Sequence, residues 1–106
     1  MNIFKGVPPQ PSSREYKDNI KSLETEDASL TLQNLNPVTF TYKEYPLEQR
    51  VGFIAEDVPQ LVATSDRKGL YAMDIVAILT KVVQEQQETI SALSAKVSEL
   101  EEMIKH

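Results

Sequence analysis

The apolar positions of the last third of the chain keep step with one another. From Ala72 onward, 35 residues pass without a proline or a glycine. Val76, Val83, Ile90, Val97 and Ile104 fall on one heptad position, a, and Ala72, Leu79, Gln86, Leu93 and Leu100 on the other, d. A seven-residue repeat sustained this long, with polar Gln86 as its exception, predicts a helix in a coiled coil. At 1.5 Å per residue it would be about 50 Å long, more than a small domain can cover. β-branched residues at a with Leu at d lean towards two strands. The flanking positions lean the other way. Thr80, Gln87, Ser94 and Glu101 at e, and Val82, Thr89, Lys96 and Met103 at g, are not the complementary charges of a tight dimer. Apolar Val82 and Met103 widen the stripe, as a larger bundle needs. The heptads leave dimer and trimer open, and Gln86 would set register at some cost in stability.

Upstream the patterns are shorter. Residues 1–11 hold Gly6 and the prolines of VPPQP, an irregular lead-in or linker. Tyr16, Ile20 and Leu23 are spaced by four and three and predict a short amphipathic turn or helix. Thr25 or Asp27 can cap a second helix carrying Leu30, Leu32 and Leu35, which Asn36-Pro37 should end. Val38 to Tyr42 alternates apolar and polar and predicts a strand, with Val38, Phe40 and Tyr42 inward. Pro46 breaks the run. Arg50 to Ala55 reads as a second strand-like segment in which Gly52 marks a bulge or a close approach. Ala55 to Val62 suggests a helical turn with Val58 and Leu61. Thr64 to Gly69 is a turn, so that Leu70 and Tyr71 can pair back on Leu61 to Ala63. The predicted fold class is α+β: a lead-in at 1–11, a small mixed head at 12–71 and a long helix at 72–106.

Composition narrows the chemistry. The chain has 106 residues, enough for one domain whose own core would be small. It has no cysteine, which excludes disulfides, thiolate metal sites and a cysteine nucleophile. Its one histidine is the terminal His106, poorly placed for a triad. Eleven basic against sixteen acidic residues give a net charge of −5, with no basic footprint for nucleic acid. A leucine-zipper arrangement would need a basic helix before the heptads, and residues 55–78 offer only Arg67 and Lys68. No apolar run is long enough to span a membrane. The opening lacks the apolar core of a signal peptide, so no export route is expected from it. Glu24, Glu26 and Asp27 suit a helix start better than a metal, and Glu99, Glu101 and Glu102 read as a solvated helix face. No metal and no cofactor are expected. A nucleophile must then be Ser or Thr with a lysine. Ser12 and Lys17 stand five apart across a predicted turn. Such a dyad works when burial or nearby charge leaves the lysine neutral. Spacing alone more often means a capping serine and a solvated lysine.

Three blocks in order add a resemblance. The first is Ser12-Ser13-Arg14-Glu15-Tyr16-Lys17-Asp18-Asn19-Ile20. The second is Leu35-Asn36-Pro37-Val38-Thr39-Phe40-Thr41-Tyr42-Lys43 with Gly52-Phe53-Ile54-Ala55-Glu56-Asp57-Val58-Pro59. The third runs from Tyr71 to Thr89, with Leu79-Thr80-Lys81-Val82-Val83-Gln84-Glu85-Gln86-Gln87 at its centre. Together they resemble the C-terminal intramolecular chaperone domain of phage tailspikes, tail fibres and neck appendages, the endosialidase-type S74 autopeptidases. The resemblance implies a homotrimer that registers an upstream fibre or spike domain of the same polypeptide. It implies release by a single-turnover cut between Pro11 and Ser12, with Ser12 as nucleophile and Lys17 as general base. Gly52 would lie near the reacting carbonyl and Arg50 would help to orient the site. Ser13 stands where the family usually carries Asp or Asn, and a serine there can still hydrogen-bond locally. The trimer core would be Val76, Leu79, Val83, Gln86, Ile90, Leu93, Val97, Leu100 and Ile104. The setting implied is the host cytoplasm during virion assembly, with the parent protein in the virion tail or appendage and no membrane or nucleic-acid partner. Two alternatives stay open: a non-cleaving trimeric assembly module of the same fold, and a coiled-coil adaptor.

Overall fold

A computed structural model describes residues 11–105. The readings made for residues 1–10 and for His106 lie outside the described residues. Helix α1 spans Thr25–Gln33, strands β1 and β2 span Val38–Tyr42 and Tyr45–Gly52, and helix α2 spans Ala72–Lys105. Short 3-10 turns at Arg14–Tyr16, Ala55–Asp57 and Gln60–Val62 connect them. A small antiparallel sheet, short helices and a long C-terminal helix make the fold α+β.

The amphipathic helix expected from Tyr16, Ile20 and Leu23 shrinks to the 3-10 turn Arg14–Tyr16. Lys17 is already extended, and Asn19 takes a left-handed backbone with φ of 55°. Asn tolerates that conformation, and no right-handed helix passes through it. Tyr16 and Ile20 are therefore exposed, and Leu23 alone of the three packs on the core.

α1 starts where expected but is capped differently. Glu24 is its N-cap without a side-chain bond, and Thr25, expected as a cap, is the first helical residue, its hydroxyl donating to Glu85 Oε1 on α2 at 3.0 Å. Glu26 and Asp27 sit in the first turn, where the helix dipole favours negative charge. Asn34 closes the other end, its side-chain nitrogen donating to Leu30 O at 2.9 Å. Ala28 and Thr31 are buried, and Leu32 and Leu35 pack beside them. Leu30 is exposed, because a residue two positions from Ala28 points to the far side of a helix.

β1 and β2 pair with Val38 opposite Gly52, Thr39 opposite Val51 and Phe40 opposite Arg50; the register then shifts before Tyr42 meets Tyr45 across Lys43-Glu44. The second strand starts earlier than the sequence suggested and includes Pro46. A two-stranded sheet has only edges, so a residue without an N–H costs little there. Val38 and Phe40 are half-buried, but Tyr42 is exposed because the tip of the hairpin reaches past the core. Its ring meets Phe40 edge-on at 5.1 Å between centroids.

The helical turn expected at 55–62 divides in two. Pro59 lacks an N–H and Val58 before it is extended, so one helix cannot continue through them. Val58 and Val62 become the buried pair, and Leu61 is exposed. The predicted turn forms, with an antiparallel bridge between Ala63 and Leu70 and Thr64 N–H donating to Gly69 O at 3.1 Å.

The core consists of Ala28, Val58, Val62, Ile75, Ile78 and Val82. The three from α2 lie on a face about 100° round the helix from the a and d stripe. This corrects one reading of the heptads. Val82 does not widen the stripe, because it is buried against its own head. Met103 is exposed.

Candidate functional site

The first candidate group is a local turn. Ser13 is the N-cap of Arg14–Tyr16, with extended backbone at φ −63° and ψ 147°. Its Oγ accepts from the Glu15 N–H at 3.2 Å. The turn closes through Tyr16 N–H to Ser13 O at 3.0 Å and Lys17 N–H to Arg14 O at 3.2 Å. The chain thereby doubles back, and Lys17 Nζ lies 2.7 Å from Ser12 Oγ. The bond joins side chains that are both exposed, as is Pro11 before them. The pair is within proton-transfer distance. Base chemistry there requires the pair to be covered, because burial disfavours the charged form of a lysine.

The second group is a cleft of 530 Å³ between the end of the hairpin and the 68–70 segment. Arg50 and Gly52 line it with Phe40, Tyr42, Phe53 and Lys68; Ser12 and Lys17 do not. Arg50 places its guanidinium 6.0 Å from the centre of the Tyr42 ring. Gly52 is closely approached: a Cβ there would sit 3.0 Å from Phe40 Cε1, so the ring would have to shift by a few tenths of an ångström to admit one.

The third group is the stripe on α2. Val76, Leu79, Val83, Ile90, Leu93, Val97, Leu100 and Ile104 each leave roughly two-fifths or more of their surface in water. Gln86, also exposed, continues the row. The stripe is unbroken over the whole helix, and a single chain leaves it uncovered.

Arg67, which the sequence places only within the Thr64–Gly69 turn, has a left-handed backbone with φ of 56°. Its Nη2 donates to the carbonyls of Glu56 and Val58, clamping the turn onto the preceding segment. These partners are eleven and nine residues away, so no local pattern announces them. Beside it, Asp66 accepts from the Lys68 N–H at 3.0 Å and from the Thr64 hydroxyl at 2.7 Å. The two bonds, the backbone one first, hold its carboxyl below its ordinary value.

Among the described residues no group of three His, Asp or Glu side chains could hold a metal ion, and no helix is long and apolar enough to cross a membrane. The family model described as Peptidase_S74, chaperone of endosialidase, matches residues 12–67. No curated protein and no solved structure matches the chain.

Proposed function

This chain belongs to the Peptidase_S74 family, the chaperones of endosialidase, and from that premise we propose that it is the self-releasing trimerisation chaperone of an upstream fibre or spike. The observation that carries the proposal is the 2.7 Å contact between Lys17 Nζ and Ser12 Oγ, at the residue where the family match begins.

Residues 12–71 form the chaperone head, and residues 72–106 the coil that assembles it. Association through the α2 stripe registers three chains and raises their local concentration before slow, long-range β pairing begins upstream. Docking of neighbouring chains covers the Ser12–Lys17 pair. Lys17 Nζ, acting as general base, then takes the Ser12 hydroxyl proton, and Ser12 Oγ attacks the Pro11 carbonyl carbon. The tetrahedral adduct collapses with rupture of the Pro11–Ser12 C–N bond. Lys17 returns the proton to the departing Ser12 nitrogen, leaving an ester between Pro11 and Ser12 Oγ. Water hydrolyses the ester, so the upstream product ends at Pro11 and the chaperone starts at Ser12. Each chain reacts once. Loss of the registering element leaves the product held by its own unfolding barrier.

Arg50 and Gly52 enter this scheme as the walls of the cleft beside the hairpin, not as partners of the dyad within one chain. Parent and chaperone belong to phage virion assembly in the host cytoplasm. A non-cleaving assembly module is the second reading, favoured by the exposure of both Ser12 and Lys17 in a single chain.

Intact-mass spectrometry of the full chain, beside Ser12→Ala and Lys17→Ala, tests the proposal. The expected result is a species beginning at Ser12 in the parent protein and in neither variant. Hydroxylamine should accelerate its appearance by intercepting the ester. One full-length mass in every sample, with trimers present by sedimentation, would replace self-cleavage with the assembly module.

A further inference from the structure

We propose that Ser13 is the positioning residue of the Ser12–Lys17 pair. The inference rests on the dyad reading above and adds a determinant to it. Ser13 touches neither reacting group. Its Oγ accepts the Glu15 N–H at 3.2 Å, and that bond caps the three-residue turn whose last carbonyl contact, Lys17 N–H to Arg14 O, sets where the lysine leaves the backbone.

The physical argument turns on how little else holds this turn. Five residues of extended chain span roughly 17 Å, several times the distance at which the two side chains meet. The loop must therefore be folded for the pair to form. A 3-10 segment this short has few hydrogen bonds and no cooperative length behind it. None of its residues is buried, and Tyr16 and Ile20 lie in solvent on either side of Lys17, so tertiary packing does not fix it. Ser12 adds only the bond from Lys17. The Ser13 side chain then adds to the two backbone bonds of the turn a third one, which favours the folded turn independently of the Ser12–Lys17 contact.

The requirement is for a short side chain with an acceptor oxygen, a condition that Thr and Asp also meet and Ala does not. Ser13→Ala should slow the appearance of the chain beginning at Ser12 by roughly tenfold, from the usual effect of deleting such a cap. Ser13→Thr and Ser13→Asp should restore the rate to within about threefold of the parent, which a loss through general destabilisation would not allow. The trimer fraction, read by sedimentation in the same samples, should be unchanged in all three.

The experiment is the time course of cleavage by intact mass for these variants of the full chain, with a second readout that does not depend on cutting. In the uncut chain, proton Overhauser contacts between Ser12 Hβ and Lys17 Hε are expected in the parent and in Ser13→Thr, and should be lost in Ser13→Ala. An alanine variant that cuts at the parent rate, a failure of both Thr and Asp to restore it, or contacts that persist in Ser13→Ala would each overturn the assignment. A parent protein that never cuts would sink the dyad reading, while the Overhauser comparison would still decide whether Ser13 places Lys17 on Ser12.

Discussion

Leu93→Ala separates the two roles of α2. Leu93 lies beyond Glu85, the last α2 residue bonded to α1, and it is 59% exposed in a single chain. It is not among the residues packed on the core of the head, so its truncation should act on association. Leu to Ala removes about three methylene equivalents, or about 2.4 kcal/mol at 0.8 kcal/mol each. About three-fifths of that surface remains to be covered by partners, which leaves roughly 1.4 kcal/mol per chain. In the proposed symmetric trimer the layer holds three such residues, for about 4 kcal/mol in all, or on the order of a thousandfold in the association constant, before any cavity left behind is counted. Sedimentation equilibrium over a range of concentrations reads this directly. Circular dichroism should follow it, because a free helical tail of about twenty residues is marginal in water and should melt on dilution. Ser98→Ala, off the stripe, is the control and should associate like the parent. A parent chain that stays monomeric at hundreds of micromolar, or a Leu93→Ala variant that associates like the control, would refute the assignment of this face to other copies.

Two further outcomes test the head. Gly52→Ala should push the Phe40 ring aside and cost about 1–3 kcal/mol as overpacking, read as faster amide exchange in both strands; protection equal to the parent's would mean that the ring yields freely. Asp66 has a folded pKa below its unfolded value, so its contribution to stability is present above the unfolded value of 3.8 and is lost as pH falls through the folded one. Acid should therefore loosen the 64–69 turn in the parent, and Asp66→Asn should remove that pH dependence from the Lys68 amide shift; an unchanged acid titration of the shift would exclude Asp66 as its source.

What the sequence made legible follows the range of the interactions. The strand at Val38–Tyr42, the Thr64–Gly69 turn and the unbroken helix from Ala72 are set by neighbours a few residues away, and local patterns find them; α1 stops at Gln33, before Leu35, expected within it, and Asn36-Pro37, expected to end it, because Asn34 caps it first. The dyad turn was half legible. Spacing put Ser12 and Lys17 across a turn, but an apolar repeat at Tyr16, Ile20 and Leu23 suggested a helix that left-handed Asn19 forbids. The bond from Thr25 to Glu85 joins residues sixty apart, and the Arg67 clamp ends on backbone carbonyls, which carry no residue-type signal. Val82 shows a subtler limit. A residue flanking a heptad stripe is apolar whether it widens that stripe or faces its own head, and only the tertiary structure distinguishes the two.

The two faces of α2 also fix a bearing. Ile75, Ile78 and Val82 grip the head, while Val76, Leu79 and Val83 turn away by about 100° on the same rigid rod. The head has no swivel with respect to the stripe, so in an assembly its compass direction about the bundle axis is dictated by helical phase. Coil added below Gln86 in steps of seven residues would lengthen the shaft and leave every head pointing as before. A single inserted residue would twist the lower shaft out of phase with the upper, and the heads could then obey one half of the coil or the other, but not both.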